Sequence, residues 1–166
     1  LHILDALRSG DFRLLWFASW MWYHARWIEV TVLGWVVLVL TDSPFLVGLI
    51  GFFRMIPMPF LGMVAGVIAD RANRKHISIA VQLINIVAIA ILLALLSFDV
   101  AQFWHMALIT LSMGMAWTMD FPTRRSVITD LVGTQRIANA MSVDMTAMTG
   151  SKMIGPIVGG TLLAVA

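Results

Sequence analysis

The chain has 166 residues, 60% of them hydrophobic and 12% charged, with a formal net charge of +2. Average soluble domains carry about twice that charged fraction, so the polar residues here are too few to cover a water-exposed surface, and the basic stripe of a nucleic-acid-binding face is absent. There is no cysteine, which excludes disulfides, thiolate metal sites and cysteine nucleophiles.

The apolar residues come in long runs and not as a 3.6-residue stripe, which predicts membrane spans and not amphipathic core helices. A spanning helix needs about 20 mainly apolar residues. Five segments meet this: residues 12–40, 45–69, 77–98, 103–125 and 136–166. The sequence therefore predicts an all-α integral membrane fold. Thr41-Asp42-Ser43-Pro44 forms the first turn, from residues that favour turns. Asp70 to His76 make a short charged loop, and Asp99 marks the next turn. Leu stands at position 1, and the last apolar run stops at Ala166 without a polar tail. These ends predict a piece of a longer chain, and no cleavable signal peptide is visible.

Orientation follows from lysine and arginine. Arg8, Arg13, Arg71, Arg74, Lys75, Arg124, Arg125 and Arg136 all fall on one side of the alternating spans, and the turns at 41–44 and 99–102 hold no base. The expected orientation puts the N-terminus and the 70–76 and 123–136 segments in the cytoplasm, with the chain in the cell's inner membrane.

Charges at bilayer depth cost about 2.5–3.5 kcal/mol each on insertion scales, so they need a partner or a task. The bases are Arg26, Arg54 and Lys152; the acids at similar depth or near the inner edge are Glu29, Asp120 and Asp144. Arg26 and Glu29 share a helix face at i, i+3. Counted from the 42–43 turn at 1.5 Å per residue, Glu29 and Arg54 agree in depth within about 3–5 Å. Glu29 is thus placed to bridge Arg26 and Arg54, as an inert structural network or as part of a substrate or proton path. Asp144 shares a face with Met148 and Ser151 on the most polar of the five segments. Such a helix must face protein or water; its carboxyl is a candidate proton carrier or a salt-bridge partner of Lys152 or another base. Trp16, Trp20, Tyr23 and Trp27 form an aromatic stripe suited to packing, interfacial anchoring or stacking a flat substrate. Met141, Met145 and Met148 repeat the pattern on the last segment. His24 and His105 stand alone, which predicts no metal and no cofactor.

Gly66-Val67-Ile68-Ala69-Asp70-Arg71-Ala72-Asn73-Arg74-Lys75 resembles the cytoplasmic loop signature of the major facilitator superfamily, roughly G-x-L-A-D-R-x-G-R-K/R. Asn73 replaces the usual Gly; Asn tolerates positive φ, so the turn is expected to survive. Gly155-Pro156-Ile157-Val158-Gly159-Gly160 resembles the core of the antiporter motif of that superfamily, with Ser151 in place of an upstream Gly. Pro156 removes a helical donor, and Gly155 and Gly159 allow close helix contact. Phe12-Arg13, Leu40 to Pro44, Asp120 to Arg125 and Asn139-Ala140 are similar to the exporter branch containing enterobactin and macrolide-efflux proteins; the usual Arg of the fourth helix is absent at Ala116-Trp117-Thr118.

The resemblance implies most of the N-terminal six-helix bundle of a twelve-helix transporter. It implies an inner gate at Gly66, Asp70, Arg71, Arg74 and Lys75. There Asp70 would face a helix N-terminus, and Arg71 or Arg74 would pair with Asp120 or Asp130. The expected function is proton-coupled export of a small amphipathic molecule by alternating access, with lipid, substrate, protons and the missing C-terminal half as partners. The alternative is a non-transporting membrane scaffold or a truncated transporter remnant. An enzyme would need a nucleophile–base set or a metal cluster, and a channel a filter or charge ring; neither pattern is present.

Overall fold

A computed structural model describes residues 9–165, the side chains of Ala69, Asp70 and Gln135 excepted. Arg8, counted in the charge bias, lies outside the described residues. The described elements are α1 (Gly10–Thr41), α2 (Pro44–Met55), α3 (Pro57–Arg71), α4 (Arg74–Ser97), α5 (Phe103–Val132), a 3₁₀ turn at Thr134–Arg136, and α6 (Ile137–Val165).

The helix ends follow from local chemistry. α1 stops at Asp42, whose φ of 50° is left-handed and whose N–H still reaches the Leu38 carbonyl at 2.8 Å. Asp is one of the few residues that adopts this region readily. Ser43 is then extended, and Pro44 opens α2 with its φ already helical. Asp99 repeats the left-handed stop after α4, with φ 53°. Gly133, at φ 69°, ends α5.

Two details depart from the sequence reading. Asn73 does not supply a left-handed turn: its φ is −69°, and its side chain caps α4 by accepting from the Lys75 N–H at 3.0 Å. The expected second span is also divided, between Met55 and Pro57. Pro57 and Pro59 lack N–H groups, so the Phe53 and Met55 carbonyls lose their helical donors.

Burial is inverted relative to a protein built for water. Leu14, Phe60 and Met63 are 73%, 74% and 85% exposed, whereas Ser19, Thr110, Thr123, Asp120, Asp144 and Ser151 are buried. In water that arrangement would be costly on both counts; in hydrocarbon it is the required one. Three stretches are long and apolar enough to cross a membrane: Gly10–Thr41, Pro44–Ile68 and Arg74–Ser97. α5 and α6 do not meet that criterion; they carry Asp120, Arg124, Arg125 and Asp130, and Asp144 and Lys152, among several Ser and Thr residues.

The described residues form two compact units, 9–33 with 127–165, and 34–126. In the first, Phe12, Ile128 and Ala140 are the buried centre of a cluster with Leu15, Trp16, Val132 and Met141. Further along, a Cβ on Gly155 would collide with Trp27, and one on Gly159 would sit 3.1 Å from the Thr31 Cβ. Contacts thus climb α1 and α6 in the same order, so the two helices run parallel. In the second unit, α2 to α4 and most of α5 bury Ile50, Ala65, Val81, Ala88, Met106 and Met113. A Cβ on Gly114 would collide with the Arg54 carbonyl and lie 3.2 Å from Pro57 Cγ. The helix break therefore packs against α5 at Gly114, where a side chain would not fit.

Candidate functional site

The first unit holds a polar seam between α1 and α6. The Tyr23 hydroxyl donates to Asp144 Oδ2 at 3.0 Å, and the two residues are 3% and 4% exposed. Below them the Trp16 indole N–H donates to the Val143 carbonyl at 3.3 Å. Above them Lys152 Nζ lies 5.9 Å from the centre of the Trp27 ring. The aromatic stripe is therefore the α6-facing side of α1, with Trp20 at its edge tilted at 49° against the His24 ring, centroids 4.4 Å apart. Glycine at 155 and 159 lets the two backbones close, and that closeness brings a tyrosine hydroxyl onto a carboxyl. Ser19 and Ser151 are fully buried beside this seam, and each hydroxyl returns to its own helix backbone, on Leu15 and Met148.

Arg26 is half-buried, with its guanidinium 5.9 Å from the Trp22 ring centre. Glu29 is half-buried one turn further along α1. Arg54 belongs to the second unit, in the last turn of α2 beside the proline break.

In the second unit Asp120 is buried and accepts from Arg124 of its own helix, at 2.9 Å from Nη2 and 3.1 Å from Nε. The i, i+4 spacing of Asp120 and Arg124 is itself legible in the sequence. Arg74 reaches α5 at its backbone: Nη1 donates to the Ser126 carbonyl at 3.5 Å. Arg71 and Lys75 are exposed, and the side chain of Asp70 lies outside the described residues. Gly66 and Gly160 have open space where a Cβ would go. Among the described residues no three His, Asp or Glu side chains gather as a metal site. Sequence reasoning missed Tyr23 as the donor to Asp144 and Gly114 as the seat of the break. The prolines at 57 and 59 were the available signal for the second.

The sequence profile of the transmembrane secretion effector family, a branch of the major facilitator superfamily, matches residues 3–166. The chain belongs to this family. It is a multi-pass membrane protein. It is 24% identical over 149 residues to the staphyloferrin A transporter of Staphylococcus aureus (strain NCTC 8325 / PS 47), covering 89% of this chain and 38% of that protein. It is 26% identical over 139 residues to YfiS of Bacillus subtilis (strain 168), an uncharacterized transporter of the same superfamily, covering 83% of this chain and 32% of that protein. The chain thus spans well under half the length of these curated relatives. No solved structure matches it.

Proposed function

We propose that this chain is part of a secondary active transporter that exports a small amphipathic molecule in exchange for protons, by rocking of two helical halves about a midplane site. Family membership and relatives named as transporters support transport. The family's description as a secretion effector supports the outward direction. The observation that carries proton coupling is the Tyr23–Asp144 hydrogen bond, a carboxyl 4% exposed between two helices of a membrane bundle.

Asp144 takes up a proton when its seam opens to one side and gives it up on the other. Tyr23 supplies the hydroxyl that stabilises the ionised state. Glu29, Arg26, Arg54 and Asp120 are the further charged positions on the substrate or proton path. The loop at Asp70, Arg71, Arg74 and Lys75 acts as the inner gate, and the Arg74–Ser126 contact is its described link to α5. In this reading α5 and α6 also span the bilayer. The parallel course of α1 and α6 supports that: two helices crossing in the same direction need an odd number of crossings between them, and α2–α3, α4 and α5 supply three. The N-terminus is cytoplasmic, the membrane is the inner one, and a C-terminal half completes the path.

The test uses the full-length protein in cells. Asp144→Asn and Glu29→Gln are expected to abolish proton-driven efflux with expression unchanged. Full efflux in both would remove these carboxyls from the coupling role.

A further inference from the structure

The second unit is polarised in charge from end to end. α2–α3, α4 and α5 run alternately, so residues 41–44 and 98–103 share one end, and residues 70–76 and 120–126 share the other. The first end carries Asp42 and Asp99 and no lysine or arginine. The second carries Arg71, Arg74, Lys75, Arg124 and Arg125. The acids at that end of the unit are Asp70 before the loop and Asp120. Asp120 is buried, with Oδ2 paired to Arg124 of its own helix. Arg71, Lys75 and Arg125 are exposed. The bond from Arg74 to the Ser126 carbonyl ties the start of α4 to the part of α5 that carries Arg125. Arg125 is laid over the Phe121 ring at 4.5 Å, which holds its guanidinium along the helix.

Helix length sets this surface at a particular depth. α4 has 24 residues, about 36 Å at 1.5 Å per residue. The hydrocarbon core is about 30 Å thick. The apolar run of α4 fills that core, and its first turn, with Lys75 and His76, emerges into the headgroup layer. Cations placed there meet lipid phosphate before they meet any soluble anion. Basic pockets between spanning helices on the cytoplasmic side are suited to anionic headgroups. We propose that Arg71, Lys75 and Arg125 bind the headgroup of an anionic phospholipid, with the acyl chains running alongside α4. Lipid bound there braces the same α4–α5 contact that Arg74 makes.

The experiment is native mass spectrometry of the full-length protein in detergent, with phosphatidylglycerol or phosphatidylcholine added at equal concentration. Phosphatidylglycerol adducts should exceed phosphatidylcholine adducts at least fivefold. Arg71→Gln with Lys75→Gln and Arg125→Gln should erase the preference, and Arg71→Lys with Arg125→Lys should keep it. Raising salt on the unmodified protein should weaken the preference, which tests the idea even if the triple variant does not fold. Excess inorganic phosphate should not displace the lipid beyond the effect of equal ionic strength. Equal adduct counts, a preference that survives in the folded triple variant or in high salt, or displacement by phosphate alone would overturn it.

Discussion

Tyr23 and Asp144 show how far single residues can be read before coordinates. The sequence placed Asp144 inside a polar helix and flagged it as either a proton carrier or half of a salt bridge. It placed Tyr23 in an aromatic stripe. What it lacked was the rotation of α1 relative to α6, which decides that one hydroxyl of the stripe meets the carboxyl while Lys152 lies over Trp27. Tyr23→Phe removes one buried hydrogen bond without changing the packing volume. It should cost about 1–3 kcal/mol of stability, read as a fall in the thermal midpoint of the purified full-length protein. An unchanged midpoint would mean that the bond is not formed in the membrane. The glycines of the 155–160 motif separate in the same way. Gly155→Ala forces a methyl into Trp27 and should cost about 1–3 kcal/mol by overpacking. Gly160→Ala meets open space and should be neutral. Equal effects at the two positions would place the α1–α6 seam elsewhere.

Helices were easier to read than their breaks and neighbours. Runs of about 20 apolar residues announce helices in a bilayer because every backbone group must bond within its own segment. The division at Ile56 was missed because the apolar count is blind to proline. Pro57 and Pro59 leave hydropathy high while deleting two backbone donors. Gly114 was missed for the opposite reason: a lone glycine in an apolar helix looks like filler until the partner backbone is known. Its burial against Arg54 and Pro57 makes a specific expectation. Gly114→Val should destabilise the protein by about 1–3 kcal/mol, whereas Gly51→Ala and Gly62→Ala, with open space at the Cβ position, should not. Denaturant unfolding of the three variants in one detergent distinguishes these outcomes. The capping role of Asn73 belongs here too. Asn serves both left-handed turns and helix N-caps, and only the position of the α4 start chooses between them.

At the scale of the molecule, the sequence announced a membrane protein through composition and an orientation through the placement of lysine and arginine. The inverted burial pattern agrees with the first: exposed Leu14 and Met63, buried Asp120 and Ser151. In the proposed reading the polar helices α5 and α6 also cross the bilayer, and their polarity is that of helices lining a path. Their crossing of the bilayer is the claim on which the transporter reading depends, and it can be measured without knowing the cargo. This chain has no cysteine, so single cysteines can be placed at Ser43, Ala72, Val100 and Thr134 and probed in intact cells with a membrane-impermeant thiol reagent. Five alternating spans with a cytoplasmic N-terminus predict labelling from outside at positions 43 and 100, and at 72 and 134 only after the cells are opened. Labelling of positions 100 and 134 from the same side would contradict the crossing of α5 and the account built on it.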